Sequence, residues 1–140
     1  MLTDGARRAP WYTWGVFPAS ERWLLLQPGE LARRIVDLLS DRQAEDVVLL
    51  DISRVASFAD FFVIASAVNP RHMGALIDAL DRELKAEDGV APLRREGEID
   101  SGWVLVDFGS VIVHLFAPDQ RTYYNLEQLW SRAREVVRIQ

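Results

Sequence analysis

Three aspartates, Asp51, Asp60 and Asp107, each fall at the end of an apolar run or in a turn. A two-metal phosphoryl-transfer site needs such carboxylates to converge within a few ångströms. Their spacing does not establish convergence. Turn stabilisation through backbone hydrogen bonds is the simpler role for Asp60 and Asp107. The two histidines, His72 and His114, are too few for a histidine-rich metal site. His72 falls beside Arg71 in the first turn of an expected helix and reads as an interface or surface residue. His114 alternates with Ile112 and Phe116 and reads as a packed, hydrogen-bonded ring rather than a base. Ser66 and Ser110 supply hydroxyls, but neither sits in a nucleophile elbow. Gly89, Gly97, Gly102 and Gly109 are scattered over turns and form no phosphate cradle. The chain has no cysteine, which removes thiolate chemistry and disulfides. The sequence thus predicts no catalytic residue, no cofactor and no metal.

Binding chemistry is better represented. The segment Trp103 to Trp130 holds two of the five tryptophans and two of the three tyrosines. Within it, Arg121, Tyr123 and Tyr124 combine directed donors with aromatic area, which suits a protein interface or a packed linker. The formal net charge is −5, and Lys85 is the one lysine among 16 basic residues. An acidic surface argues against autonomous nucleic-acid binding. The pairs Arg33–Arg34 and Arg94–Arg95 are small patches, not a basic groove. A basic protein partner fits this charge.

These residues need a frame. At 140 residues the chain suits one domain with a real core. Its longest apolar runs are too short to cross a bilayer, and no signal-like apolar core follows Arg7 and Arg8. Residues 1–28 stand apart. They hold Trp11, Trp14 and Trp23, show no sustained period and carry a charge of +1, against −6 for residues 29–140. We read an N-terminal arm over 1–28 and a domain over 29–140.

Leu31, Ile35, Leu38 and Leu39 mark a helix over about 30–40. Val47 to Leu50 and Phe61 to Ala65 read as buried strands. Asn69 and Pro70 start a second helix, striped by Met73, Leu76, Ile77, Leu80 and Leu84 and ended by Gly89. Ala91 to Arg95 suggests an edge strand. Trp103 to Phe108 and Ser110 to Phe116 form a hairpin. A turn centred on Phe108 and Gly109 would set Trp103 opposite His114 and Leu105 opposite Ile112. Asn125, with Gln128, is expected to cap a last helix whose buried stripe is Leu126, Leu129, Trp130, Ala133 and Val137. The expected fold class is α/β: a mixed sheet flanked by helices, with the second helix in a parallel crossover and the hairpin at the sheet's edge.

The chain resembles the ribosomal silencing factor family, also called Iojap-like, from about Leu31 to Ala133. The resemblance is carried by the run Ala59 to Ser66, Arg71-His72, Glu96-Gly97 and Trp103 to Gly109. It continues through Val113 to Phe116, Arg121 and Tyr124 to Trp130. It implies a nucleotidyltransferase-like topology without transferase activity. It implies binding to the large ribosomal subunit at its fourteenth ribosomal protein, obstruction of small-subunit joining, and lowered translation when nutrients are scarce. Organelle relatives imply a role in large-subunit assembly. A homodimer using the same surface, a cytoplasmic location and no membrane contact belong to the same expectation. A magnesium-dependent nucleotidyltransferase-like enzyme using Asp51, Asp60 or Asp107 is the catalytic alternative. Arg71, His72, Asp107, Tyr123 and Tyr124 are the interface candidates. Two departures stand out: the tryptophan-rich arm, and Ala67 where the family usually has glycine after Ser66, a source of strain if φ there were positive.

Overall fold

The computed structural model describes residues 27–140. The arm read over 1–28 lies outside the described residues except for Gln27 and Pro28. Helix α1 spans Pro28–Asp41, with proline in its first turn and the Gln27 amide donating to Glu30 Oε1 at 3.1 Å. Strands β1 (Glu45–Asp51) and β2 (Phe61–Ser66) follow. Helix α2 covers Pro70–Asp88. The Asn69 side chain accepts the His72 amide at 2.8 Å, and Gly89 closes the helix at φ +70°. Next come β3 (Arg94–Glu96), a 3₁₀ turn over Ile99–Ser101, β4 (Trp103–Asp107) and β5 (Val111–Phe116).

The C-terminal region departs from the expectation of one long helix. Residues Pro118–Tyr124 form helix α3, so the Arg-Thr-Tyr-Tyr stretch is helical rather than a linker. Asn125 then takes a left-handed conformation, φ +44°, and makes no side-chain cap. Helix α4 lasts only from Leu126 to Leu129, and Arg134–Ile139 is strand β6. The reason is tertiary. β1 has an outer edge, and β6 pairs with it antiparallel from Val47↔Ile139 to Asp51↔Arg134.

The sheet order is β3-β4-β5-β2-β1-β6, with β2 and β5 parallel and every other pair antiparallel. α2 thus begins a crossover from β2 to β5, and β5 lies inside the sheet with all six residues buried. The edge beyond the hairpin belongs to β3. The hairpin register is two residues away from the simple expectation: Trp103 faces Phe116, Leu105 faces His114 and Asp107 faces Ile112. Phe108 to Ser110 form a three-residue loop with Gly109 at φ +92°. An even shift leaves every side chain on its expected face.

The two faces of the sheet are covered unequally. α1 and α2 pack on one, burying Leu31, Ile35, Leu39, Leu76 and Leu80 against Val47, Leu49, Val63, Val113 and Leu115. The other face carries Val48, Leu50, Phe62, Ile64, Ile112 and Phe116, with Trp103, Leu105, Trp130 and Ala133 at its margin. Only short elements lie over it. Ala67 is buried, lies outside the left-handed region, and its amide donates to Phe116 O at 2.9 Å, so alanine adds no backbone strain there. Among the described residues, no helix is long and apolar enough to cross a membrane.

Candidate functional site

The thinly covered face is aromatic. Phe58 meets Trp130 edge-on, with ring centroids 5.9 Å apart; Trp130 meets Phe62 at 5.1 Å, and Phe62 meets His114 at 4.6 Å. Trp103 stacks on Phe116 at 5.0 Å and touches Tyr124 at 4.6 Å; Tyr124 meets Tyr123 edge-on at 5.0 Å. These rings run along the strands from one end of the sheet to the other. Several remain open: Tyr123 is 78% exposed, Phe58 57% and Tyr124 43%, with Leu129 beside Trp130 in sequence at 75%. A patch of this kind is a signature of a protein-binding surface.

Arg121 positions the two tyrosines. Its side chain is buried, unlike the interface arginine that sequence alone allowed. Nη1 donates to Asp46 O at 2.8 Å and Ser66 Oγ at 2.9 Å, while Nε and Nη2 grip the two carboxylate oxygens of Glu127 at 3.3 and 3.1 Å. Asp46 lies in a bulge of β1 at φ +47°, and Arg138 pairs with its carboxylate at 2.8 Å. The guanidinium thereby bolts α3 and α4 to the start of β1 and the end of β2.

The expected interface residues do not form one cluster. Tyr123 and Tyr124 lie at the Trp103–Phe116 end of the aromatic face. Asp107 lies on that face's side but at the far end of β4, about 13 Å from Trp103 by strand rise. There its Oδ1 accepts the Gly109 amide at 2.7 Å and its Oδ2 accepts Arg94 Nε at 3.2 Å, which is the turn-stabilising role. Arg71 and His72 start α2, over the opposite face. His72 Nδ1 accepts the Val68 amide at 2.9 Å, so its Nε2 donates to Arg42 O, also at 2.9 Å. That ring ties the α1 and α2 ends together.

The acid residues are dispersed in role. Asp51 Oδ1 accepts the Ser53 amide and hydroxyl at 3.0 and 2.6 Å, and Arg134 reaches its other oxygen at 3.3 Å. The Ser53 bonds, with Arg134 behind them, hold the Asp51 carboxyl below the usual range. Among the described residues, no three His, Asp or Glu side chains are placed to share a metal ion. A groove beside α2 is lined by Asp78, Asp81, Arg95 and Glu98, with Arg95 paired to Asp81 at 3.4 Å.

Comparison with known proteins decides the family. A family model described as "Ribosomal silencing factor during starvation" matches residues 26–140. The chain belongs to the ribosomal silencing factor family. A ribosomal silencing factor of Halalkalibacterium halodurans is 38% identical over 107 residues, covering 76% of this chain and 91% of that protein. A mouse relative named "Mitochondrial assembly of ribosomal large subunit protein 1" is 33% identical over 69% of this chain and 43% of its own length. The fold is shared with a crystal structure from Chromobacterium violaceum, 33% identical, with a TM-score of 0.71 over 76% of this chain and 88% of that one. A Bacillus halodurans structure matches with a TM-score of 0.66 at 36% identity, over 78% and 98% of the two chains. Such silencing factors are regulatory proteins in name, and the family frame is ribosome association.

The sequence did not reveal Phe58 and Phe62 as part of one aromatic path with Trp103 and the tyrosines. Phe58 precedes a strand and Phe62 lies within one, and no local signal joins them to residues far along the chain.

Proposed function

We propose that the aromatic face docks on the large ribosomal subunit at its fourteenth ribosomal protein, and that the bound domain sterically blocks small-subunit joining. Translation then falls under nutrient limitation. The observation that carries this reading is the aromatic path from Phe58 to Tyr123, buried in its middle but exposed at both ends, on a sheet whose other face is sealed by two long helices. The net charge of −5 complements a basic ribosomal protein. Trp103, Tyr123 and Tyr124 are the proposed anchors, with Asp107 at the rim and Arg71 outside the central patch. His72 supports the α2 start that carries Arg71. Nothing in this mechanism requires turnover, since occupancy of the surface is sufficient.

Sedimentation of purified subunits tests it. Added protein should travel with the large subunit and deplete the joined peak. Travel with the small subunit alone would reject the proposal. The mouse relative's name favours a second role in large-subunit assembly. That role requires preference for precursor subunits over mature ones, which the same gradients measure.

A further inference from the structure

We infer that His114 is a positioning residue of the docking face: it turns the Trp103 indole N–H inward, so that Trp103 presents only apolar surface to its partner. The inference rests on the docking reading above. Trp103 Nε1 donates to His114 Nδ1 at 3.2 Å. A ring nitrogen that accepts carries no proton, so the neutral imidazole holds its proton on Nε2. That Nε2 is the one buried side-chain polar atom without a hydrogen-bond partner among the described residues.

An imidazole is a costly choice here. His114 is only 4% exposed, sits between Ile112 and Phe116 in sequence, and packs edge-on against Phe62. A phenyl ring would fill similar space without an orphaned N–H. What the imidazole adds is the Nδ1 acceptor, and the group it serves is the Trp103 indole. Burial also pushes the His114 pKa down to about 4, so the acceptor persists through neutral pH.

The consequence lies at the surface. Trp103 is half-buried among Phe116, Tyr124 and His114. With Nε1 engaged, its outer edge offers hydrocarbon and no donor. The matching partner group is apolar, an aliphatic side chain or proline, rather than a hydrogen-bond acceptor. Fixing one indole pose before contact also removes an ordering cost from binding.

The test compares His114→Phe and His114→Asn in the full chain. Asparagine can present an acceptor near the Nδ1 position; phenylalanine cannot. The Trp103 indole N–H resonance, assigned with Trp103→Phe, should move in His114→Phe and return towards its native position in His114→Asn. Affinity for purified large subunits should fall about threefold to tenfold in His114→Phe, the ordering cost of one side chain. Its melting temperature should change little, because the Nε2 orphan is removed while the half-buried Trp103 N–H loses its acceptor. Asparagine should recover affinity despite its smaller volume. A folded His114→Phe protein with native affinity overturns the inference. So does an indole resonance unchanged from wild type. If wild-type protein fails to bind large subunits, the docking reading fails instead, and the indole resonance still decides whether the His114–Trp103 lock exists.

Discussion

Replacing Arg121 by methionine should destabilise the domain by about 3–5 kcal/mol, the usual loss when one partner of a buried ion pair is removed. The contacts show how that loss arises. Methionine keeps most of the stem's volume but none of the donors. The Asp46 carbonyl and Ser66 hydroxyl, now held at 2.8 and 2.9 Å, lose a charged donor, the hydroxyl in a buried contact and the carbonyl in a part-buried one. Each such orphan costs on the order of 1–3 kcal/mol. Glu127 loses less. Its side chain is 25% exposed, and Arg138 remains 3.4 Å away. Against a total stability of roughly 5–15 kcal/mol, the loss is large. Urea unfolding of the full chain measures it, and a cycle with Glu127→Gln separates the carboxylate from the other two acceptors. A loss below about 1 kcal/mol would refute the clamp argument. Retained stability with lost large-subunit binding would make Arg121 a partner contact.

Acid should weaken the fold in a window set by His114. Its folded pKa of about 4 lies below the ordinary 6.5, so between those values the unfolded chain binds the extra proton and stability falls as pH drops, by about 3 kcal/mol in all. Asp51, with its lowered pKa, adds a further loss below its ordinary 3.8. Urea titrations across this range should show a flatter slope between pH 6.5 and 4 in His114→Phe; an unchanged slope would assign the effect elsewhere. Gly97→Ala should cost about 1–3 kcal/mol or more, because φ is +94° and a Cβ would stand 2.3 Å from Trp103 O. Gly74→Ala, whose nearest neighbour would be 3.7 Å away, is the thermal-melt control and should not destabilise. Tyr123→Ala should leave stability within about 0.5 kcal/mol, since the ring is largely in water. Its large-subunit binding should weaken by about 2 kcal/mol in a co-sedimentation titration; equal binding would remove Tyr123 from the anchors.

Local signals in the sequence are legible where local chemistry decides the structure. Asn69-Pro70 and Gly89 bracket α2 because a cap, a preset φ and a left-handed glycine act within a few residues. Trp103, Leu105 and Asp107 share a face whatever the hairpin register, because the strand period is two. The C-terminal region is not legible locally, for the opposite reason. Leu126, Leu129, Trp130, Ala133 and Val137 fit a helical stripe, and nothing local marks Asn125 as left-handed. The unmet edge of β1, distant in sequence, draws Arg134–Ile139 into the sheet, a state that Val136, Val137 and Ile139 also favour. Arg121 was ambiguous because its acceptors Ser66 and Asp46 lie 55 and 75 residues away. The aromatic site was legible as residue types but not as a surface, since Phe58, Trp103, Tyr124 and Trp130 come from separate segments that only the sheet brings together.

The pairing of β1 with β6 also sets the order in which this fold can close. β1 is the first strand after α1, yet its outer neighbour is the last element of the sequence. During synthesis β1 can meet β2 early, but its other edge has no mate until Ile139 has left the exit tunnel. Closing so long a loop is slow and leaves a bare apolar edge in the meantime. The same closure brings Arg138 onto Asp46 and Glu127, beside the bolt formed by Arg121. The aromatic face therefore takes its final shape only after Arg134–Ile139 has docked on β1, making it one of the last features of the fold to form.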